Sequence, residues 1–284
     1  VATNVYETLV ASRGKPVLFF PARFDVHEVQ AADGYAYNIA LQRFNKDHAR
    51  ELGAFVSTDA QGDWWGGAGG GTVAHAAIAS FLGDSAETMM AFSRILPARI
   101  PRIALVDFNN DSIEDTLRVL DAMFAKYREL TDAGQKDEAE KYKLFGVRLD
   151  TSGSLRDVSV PPLGDPSLDL GVNPRLVFNV RSALDSAWER WSLPGSWKEA
   201  AQEYCRSVKI VVSGGFNPEK IRRFEKLSVP ADIYAVGSYL FNNNGSTVTD
   251  FTSDVVRVKV HSEWIDMAKV GRRVGDNSNL ERVW

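Results

Sequence analysis

The residues of this chain that could do chemistry fall at the ends of short apolar runs. Ala54-Phe55-Val56 ends in Ser57-Thr58-Asp59, a glycine-dense loop follows, and Gly71-Thr72-Val73-Ala74-His75 enters an apolar, helix-like segment. The order reads as strand, loop, then a histidine presented at a helix start. Glycines let backbone N–H groups approach an anion, and a helix start adds a favourable dipole. A histidine there titrates near neutral pH; the plainer alternative is a glycine-rich surface loop and a partly buried histidine. Ile103-Ala104-Leu105-Val106 ends in Asp107, a carboxylate that is costly to bury without a partner. It orients a histidine, coordinates Mg²⁺ through water, or caps the following helix. Arg148 and Asp150 close another apolar run with one residue between them, so both side chains point to one face. Such a pair could grip an aromatic acid and a ribose, or bind each other. Val208–Val212 ends in Ser213-Gly214-Gly215, and Ile233–Val236 ends in Gly237-Ser238. Both turns offer N–H groups and a hydroxyl to a phosphate, or are simply tight turns. Arg23, in the Pro-Ala-Arg turn after Val17–Phe20, is an anion clamp or a surface arginine.

The elements that carry these ends alternate between β-branched runs and helical patterns. Val5–Val10 reads as a helix, and Ala31–Leu52 as a longer one with Ala36, Ile39, Ala40, Phe44 and Leu52 toward one face. Asp84 or Ser85 caps Ala86–Leu96, whose Met89, Phe92 and Leu96 read as core. Asn109–Ser112 turns into the helix Ile113–Tyr127, and Lys126–Lys143 is a solvated charged face. Thr151–Pro174 is too long and too rich in proline for an ordinary connection and reads as an insertion or lid. Helices are expected over Arg175–Trp191 and Trp197–Ser207, and another from Pro218. Asp254–Val260 is an alternating strand outside the repeating unit. Alternating strands and helices predict a parallel α/β protein, and functional residues at successive strand ends predict a (β/α) barrel.

Composition sets outer bounds. The chain has 284 residues, 44% hydrophobic and 25% charged, enough for one large α/β domain or two smaller ones. A net charge of −4 supplies no basic field for nucleic acid. The longest apolar runs fall short of a membrane span, and the first residues do not resemble a signal peptide. The single cysteine, Cys205, excludes an internal disulfide framework and a cysteine zinc site, so a cytoplasmic location is the expectation. His27, His48 and His261 have no metal-ligand spacing and receive no role. The chain starts at Val1 without a methionine and reads as a piece of something longer.

Taken in order, the strand ends resemble the nicotinate phosphoribosyltransferase family, a branch of the type II phosphoribosyltransferases. The matching pieces are Phe19-Phe20-Pro21-Ala22-Arg23, Ser57-Thr58-Asp59, Gly71-Thr72-Val73-Ala74-His75-Ala76 and Ala104-Leu105-Val106-Asp107. They continue through Gly146-Val147-Arg148-Leu149-Asp150-Thr151, Val211-Val212-Ser213-Gly214-Gly215, Ala235-Val236-Gly237-Ser238 and Met267-Ala268-Lys269-Val270-Gly271-Arg272. Each piece is weak alone; the ordered set spans most of the chain. The resemblance implies that nicotinate and phosphoribosyl pyrophosphate give nicotinate mononucleotide and pyrophosphate, with ATP as co-substrate and Mg²⁺ as cofactor. It implies that His75 is phosphorylated, that Asp107 orients it, and that Arg23 and Arg148 flank the pyridine ring with Asp59 near the base. Asp150 would take the ribose hydroxyls. Ser213, Gly214, Gly215, Gly237 and Ser238 would bind the 5′-phosphate, and Lys269 the pyrophosphate or ATP phosphates. It also implies a homodimer with shared sites. The expected domains are a barrel over 1–252, with an insertion near 152–195, and a segment 253–284 returning to a second small α/β domain that is largely missing.

This chain departs from the family pattern in four places, one of them the long insertion Ser152–Pro194. A small N-terminal domain usually precedes the point where it begins, the loop Trp64–Gly71 is richer in glycine, and Thr151-Ser152 follow Asp150 in place of the commoner aspartate-serine-glycine form. Rival readings are nicotinamide or quinolinate as the ring substrate, a non-catalytic phosphosugar-binding barrel, and an unrelated phosphate-binding barrel enzyme. Quinolinate would want extra basic residues for its second carboxylate and no phosphorylatable histidine.

Overall fold

Valine, isoleucine and leucine dominate the short runs that become strands, and these runs assemble edge to edge into one parallel sheet. The computed structural model describes residues 1–22, 24–241 and 253–273. The helices are α1 (Ala2–Ala11), α2 (His27–His48), α3 (His75–Ser80), α4 (Ser85–Ile95), α5 (Ser112–Asp132), α6 (Lys136–Ala139), α7 (Pro166–Asp169), α8 (Pro174–Ser186), α9 (Gly195–Ser207) and α10 (Pro218–Lys226). The strands are β1 (Val17–Phe19), β2 (Arg102–Leu105), β3 (Leu144–Leu149), β4 (Lys209–Val212), β5 (Ile233–Val236), β6 (Arg257–Val260) and β7 (Glu263–Asp266). The sheet order is β1-β5-β4-β3-β2, every neighbour parallel. Such a sheet is covered by helices on its faces, which is why its strands read as nearly continuous apolar runs. Among the described residues no helix is long and apolar enough to cross a membrane.

The sheet meets the barrel expectation in part. Beyond β1 it is extended by parallel bridges from Phe19 to Val56 and from Val56 to Gly69. Among the described residues these bridges are not joined to β2, so closure is not shown. The run Ala54–Val56 is reduced to a bridge because side chains take the places of a ladder. The Phe55 amide donates to the Tyr37 hydroxyl (3.1 Å), and the Ser57 amide to Gln61 Oε1 (3.0 Å). At the free edge of β2, Ile78 and Ala79 of α3 pack on Leu105 and Phe108. The antiparallel β6–β7 hairpin, of which β7 has no sequence-based counterpart, adds Val258 and Met267 to that cluster.

Several sequence expectations shift by local physics. The second helix begins at His27 and buries Ala31, Gly34, Tyr37, Ala40, Leu41 and Phe44, whereas Ile39 is 45% exposed. Its contact line therefore passes through Gly34 and Tyr37. A Cβ on Gly34 would stand 1.8 Å from the Gln61 carbonyl oxygen, so only glycine admits this approach. Asp84 caps α4 through the amides of Ala86 and Glu87, and Asp111, not Asp107, caps α5. The connection 151–174, expected as an insertion or lid, is anchored. Val160 and Val172 lie in the main core, and the buried Asp157 carboxylate accepts from the Ser112 amide (3.1 Å) and hydroxyl (2.6 Å).

Candidate functional site

Parallel strands end together, so the residues that follow β2, β3 and β4 converge at one edge of the sheet. Asp107 follows β2, Arg148 and Asp150 lie at the end of β3, and Ser213 follows β4. His75, the first residue of α3, reaches across to Asp107, with Nε2 3.0 Å from Oδ1. Lys269 arrives from the segment after β7 and pairs with the other oxygen, Oδ2. Its ammonium group also donates to the Asp150 carbonyl (2.9 Å). Asp107 is 1% exposed and Lys269 5% exposed. Burial alone would push the Asp107 carboxyl up; the His75 hydrogen bond and the charges of Lys269 and His75 outweigh it and hold it below the usual carboxylate range. An ionised carboxylate only accepts, so Nε2 of His75 is the donor to Asp107.

Arg148 is also committed. Its guanidinium donates to the Val73 carbonyl (2.7 Å) and the Ser213 hydroxyl (3.1 Å), lies 3.5 Å from Asp150 Oδ2, and sits 5.6 Å from the Phe20 ring centre. It thus ties β3 to the chain entering α3. The Ser213 hydroxyl stands 2.8 Å from Asp150 Oδ1, which leaves the side chain occupied within the cluster.

The two glycine-rich stretches part company here. Around His75 the loop is spent on itself. Gly67 donates to Gly62 O (3.0 Å), Gly69 to Asp59 Oδ1 (2.8 Å), Gly70 to Val56 O (2.9 Å) and Gly71 to Ser57 O (3.2 Å). The expectation of an anion cradle there is not met, and Asp59 is an exposed staple of that loop. By contrast, the Gly214 and Gly215 amides donate to no acceptor among the described residues. Gly214 adopts φ +85° and abuts Asp150, where a Cβ would stand 3.4 Å from Oδ1. Gly237 and Ser238 follow β5 beside Phe20 and Phe24. Arg23 lies outside the described residues.

Two residues at this edge were given no functional role by the sequence. Lys220, in the first turn of α10, folds back so that Nζ donates to the Gly214 carbonyl (3.2 Å) and lies 4.2 Å from the Phe216 ring centre. Its position two residues after Pro218 in a helix that follows a glycine turn was the available signal. Thr151 Oγ1 is buried with no hydrogen-bond partner among the described residues.

His75, Asp107 and Asp150 each bring one ligand atom within 4.8 Å of the others. This set does not suit a protein-held Mg²⁺, which demands oxygen ligands in near-octahedral order. One donor is an imidazole nitrogen, and the buried carboxylate is already neutralised by Lys269.

Fold and site together define a parallel α/β protein with a charged cluster and an open glycine turn at the C-terminal strand ends, where ligands of such sheets bind. The chain superposes on the crystal structure of nicotinate-nucleotide pyrophosphorylase from Pyrococcus furiosus with a TM-score of 0.55 and 24% identity, over 97% of its own length and 53% of the other chain. It shares that fold and spans about half the length of that protein. A second solved structure, human nicotinic acid phosphoribosyltransferase, aligns over 83% of this chain and 46% of its own, with 16% identity and a TM-score of 0.43. No protein-family model and no curated protein matches the chain.

Proposed function

We propose that this chain carries the catalytic part of a phosphoribosyltransferase that joins nicotinate to phosphoribosyl pyrophosphate, with ATP consumed through His75. The observation that carries the reading is the half-buried His75 on the buried Asp107–Lys269 pair, beside Asp150 and the Gly214–Gly215 turn. Asp107 holds the Nε2–H of His75, so Nδ1 is the nucleophile toward the γ-phosphorus of ATP. The N–P bond forms as the bond to the bridging oxygen breaks and ADP leaves. The positive charge that develops on the ring is offset by Asp107. Hydrolysis of that N–P bond then returns the imidazole and releases phosphate.

Asp150 takes the ribose hydroxyls, and the Gly214, Gly215, Gly237 and Ser238 turns take the 5′-phosphate. Mg²⁺ enters with the pyrophosphate of the substrate. An oxocarbenium-like ribose is stabilised by donors and charges fixed before the reaction starts. Arg148, 5.6 Å from the Phe20 ring centre, offers a single guanidinium to the ring carboxylate, which favours a ring with one carboxylate over quinolinate. Residues 1–252 are the catalytic unit in this reading, and 253–284 return to a second small domain; the active form is a homodimer with shared sites.

The test is nucleotide formation by the full chain, with Mg²⁺ and phosphoribosyl pyrophosphate, from nicotinate, nicotinamide and quinolinate in parallel. Product from nicotinate that rises with ATP, and a His75→Ala variant in which the ATP effect vanishes, is the expected outcome. Product from quinolinate alone, or ATP indifference in the wild type, would overturn the assignment.

A further inference from the structure

We propose that Lys220 is a phosphate-reading cation of this site, its ammonium group held beside the Gly214–Gly215 turn to bind the phosphate monoester of a phosphosugar. The inference rests on the reading above that these strand ends take a phosphorylated ribose. Three cations line this edge of the sheet among the described residues that follow β3 and β4 or close the C-terminal segment. Lys269 is ion-paired with Asp107, and Arg148 is held by Val73, Ser213 and Asp150. Lys220 is different: among the described residues no carboxylate lies within ion-pair distance, and its hydrogen bond goes to a backbone carbonyl.

The side chain is placed there by packing. Phe216 is buried against Phe224 and Tyr234, and the Lys220 ammonium lies over its ring, 4.2 Å from the centre, while donating to the Gly214 carbonyl. It stands next to two amides, those of Gly214 and Gly215, that donate to nothing among the described residues. A Cβ built on Gly215 would meet open space, so the turn faces room for a ligand. A cation, two free amides and the start of α10 lie together at this turn, the kinds of donor a phosphate dianion needs. The neutral alternative, a sugar hydroxyl, would leave the ammonium uncompensated.

Burial of the ammonium pulls it down to about 8, with Arg223 of α10 acting in the same direction and Asp150 at the end of β3 opposing. These are the charged groups that face it. The cation is therefore present at neutral pH and is lost as pH rises through about 8 in the free protein.

The experiment is calorimetric binding of ribose 5-phosphate and, separately, of inorganic pyrophosphate to the full chain. Wild type, Lys220→Met and Lys220→Arg are compared across neutral to alkaline pH, with thermal unfolding to confirm that each variant is folded. Lys220→Met should weaken ribose 5-phosphate by about 10- to 100-fold, the range of a lost charge-assisted hydrogen bond. Pyrophosphate affinity should be unchanged. Wild-type affinity for ribose 5-phosphate should fall above pH about 8, while Lys220→Arg keeps it. Unchanged ribose 5-phosphate affinity in Lys220→Met, an equal loss for both ligands, or no binding to the wild type would overturn the inference. The two proposals fail separately. Lys220-dependent sugar-phosphate binding without nucleotide formation sinks the enzymatic reading alone. Turnover with Lys220-independent binding sinks this one alone.

Discussion

Asp107 is the residue on which the charge balance of the site turns. It is buried and ionised because His75 touches one oxygen and Lys269 the other. Its folded value lies below the ordinary carboxylate value, so it contributes stability that is present above the unfolded value and lost as pH falls through the folded one. Lys269→Met reverses the sign. Burial then dominates, the carboxyl is pushed up, and stability is lost as pH rises through the raised value. Urea midpoints of wild type and Lys269→Met between acid and neutral pH should therefore slope in opposite directions. Breaking a buried pair by removing one partner costs on the order of 3–5 kcal/mol at neutral pH. A variant with the wild-type slope would show that Asp107 is neutral in the fold. Asp107→Asn in the Lys269→Met background should recover part of the loss, since it removes the uncompensated charge.

At the scale of the elements, β2 depends on a cation no periodicity argument would place inside. Arg102 is 1% exposed, and its guanidinium is shared among the carbonyl oxygens of Leu96, Pro97, Ile100 and Lys141. It gathers the chain after α4 and the turn before β3 onto one strand start. Arg102→Met fills similar space but orphans those carbonyls, each worth about 1–3 kcal/mol when buried without a donor. Chemical denaturation should show a loss of several kcal/mol, and Arg102→Lys should recover little because a point charge cannot serve the same fork. Gly34→Ala should be comparably damaging by driving α2 off the turn at Gln61.

These elements also show what could be read in advance. The strand ends Asp107, Arg148, Asp150 and Ser213 were legible because strand-forming residues announce themselves locally and parallel strands end together. His75 was legible from the apolar helix behind it. Arg102 and Gly34 were not, since their roles come from carbonyls brought close by the fold. Lys220 was hidden for the same reason: a charged residue in a helix of mostly charged residues looks solvated until Phe216 turns it inward. The glycine loop before His75 misled in the other direction, because composition says nothing about which amides already have acceptors.

Over the whole molecule, the described sheet is open between Gly69 and β2, and the charged cluster lies beside that opening. Arg148 holds Val73, His75 holds Asp107, and the segment after β7 lays Lys269 into the same place. The hairpin is therefore a clamp on the site. It is attached by Val258 and Met267 against Ile78, Leu105 and Phe108, and by the Val270 amide donating to Phe108 O (2.9 Å). Among the described residues no strand of the main sheet pairs with β6 or β7, so the attachment should open without global unfolding. Val258→Asp places a charge against that apolar cluster and should loosen it selectively. Hydrogen exchange read by mass spectrometry should then rise in 257–270 and in α3, while amides of β3 and β4 stay protected. Freed from Lys269, Asp107 would lose one of the two charges that keep it ionised, so the variant's stability in β2 and α3 should also acquire the pH slope of Lys269→Met. Uniformly raised exchange across the sheet would instead make the hairpin part of one cooperative core. In that event, the site could not be opened through its C-terminal segment without unfolding the strands that carry it.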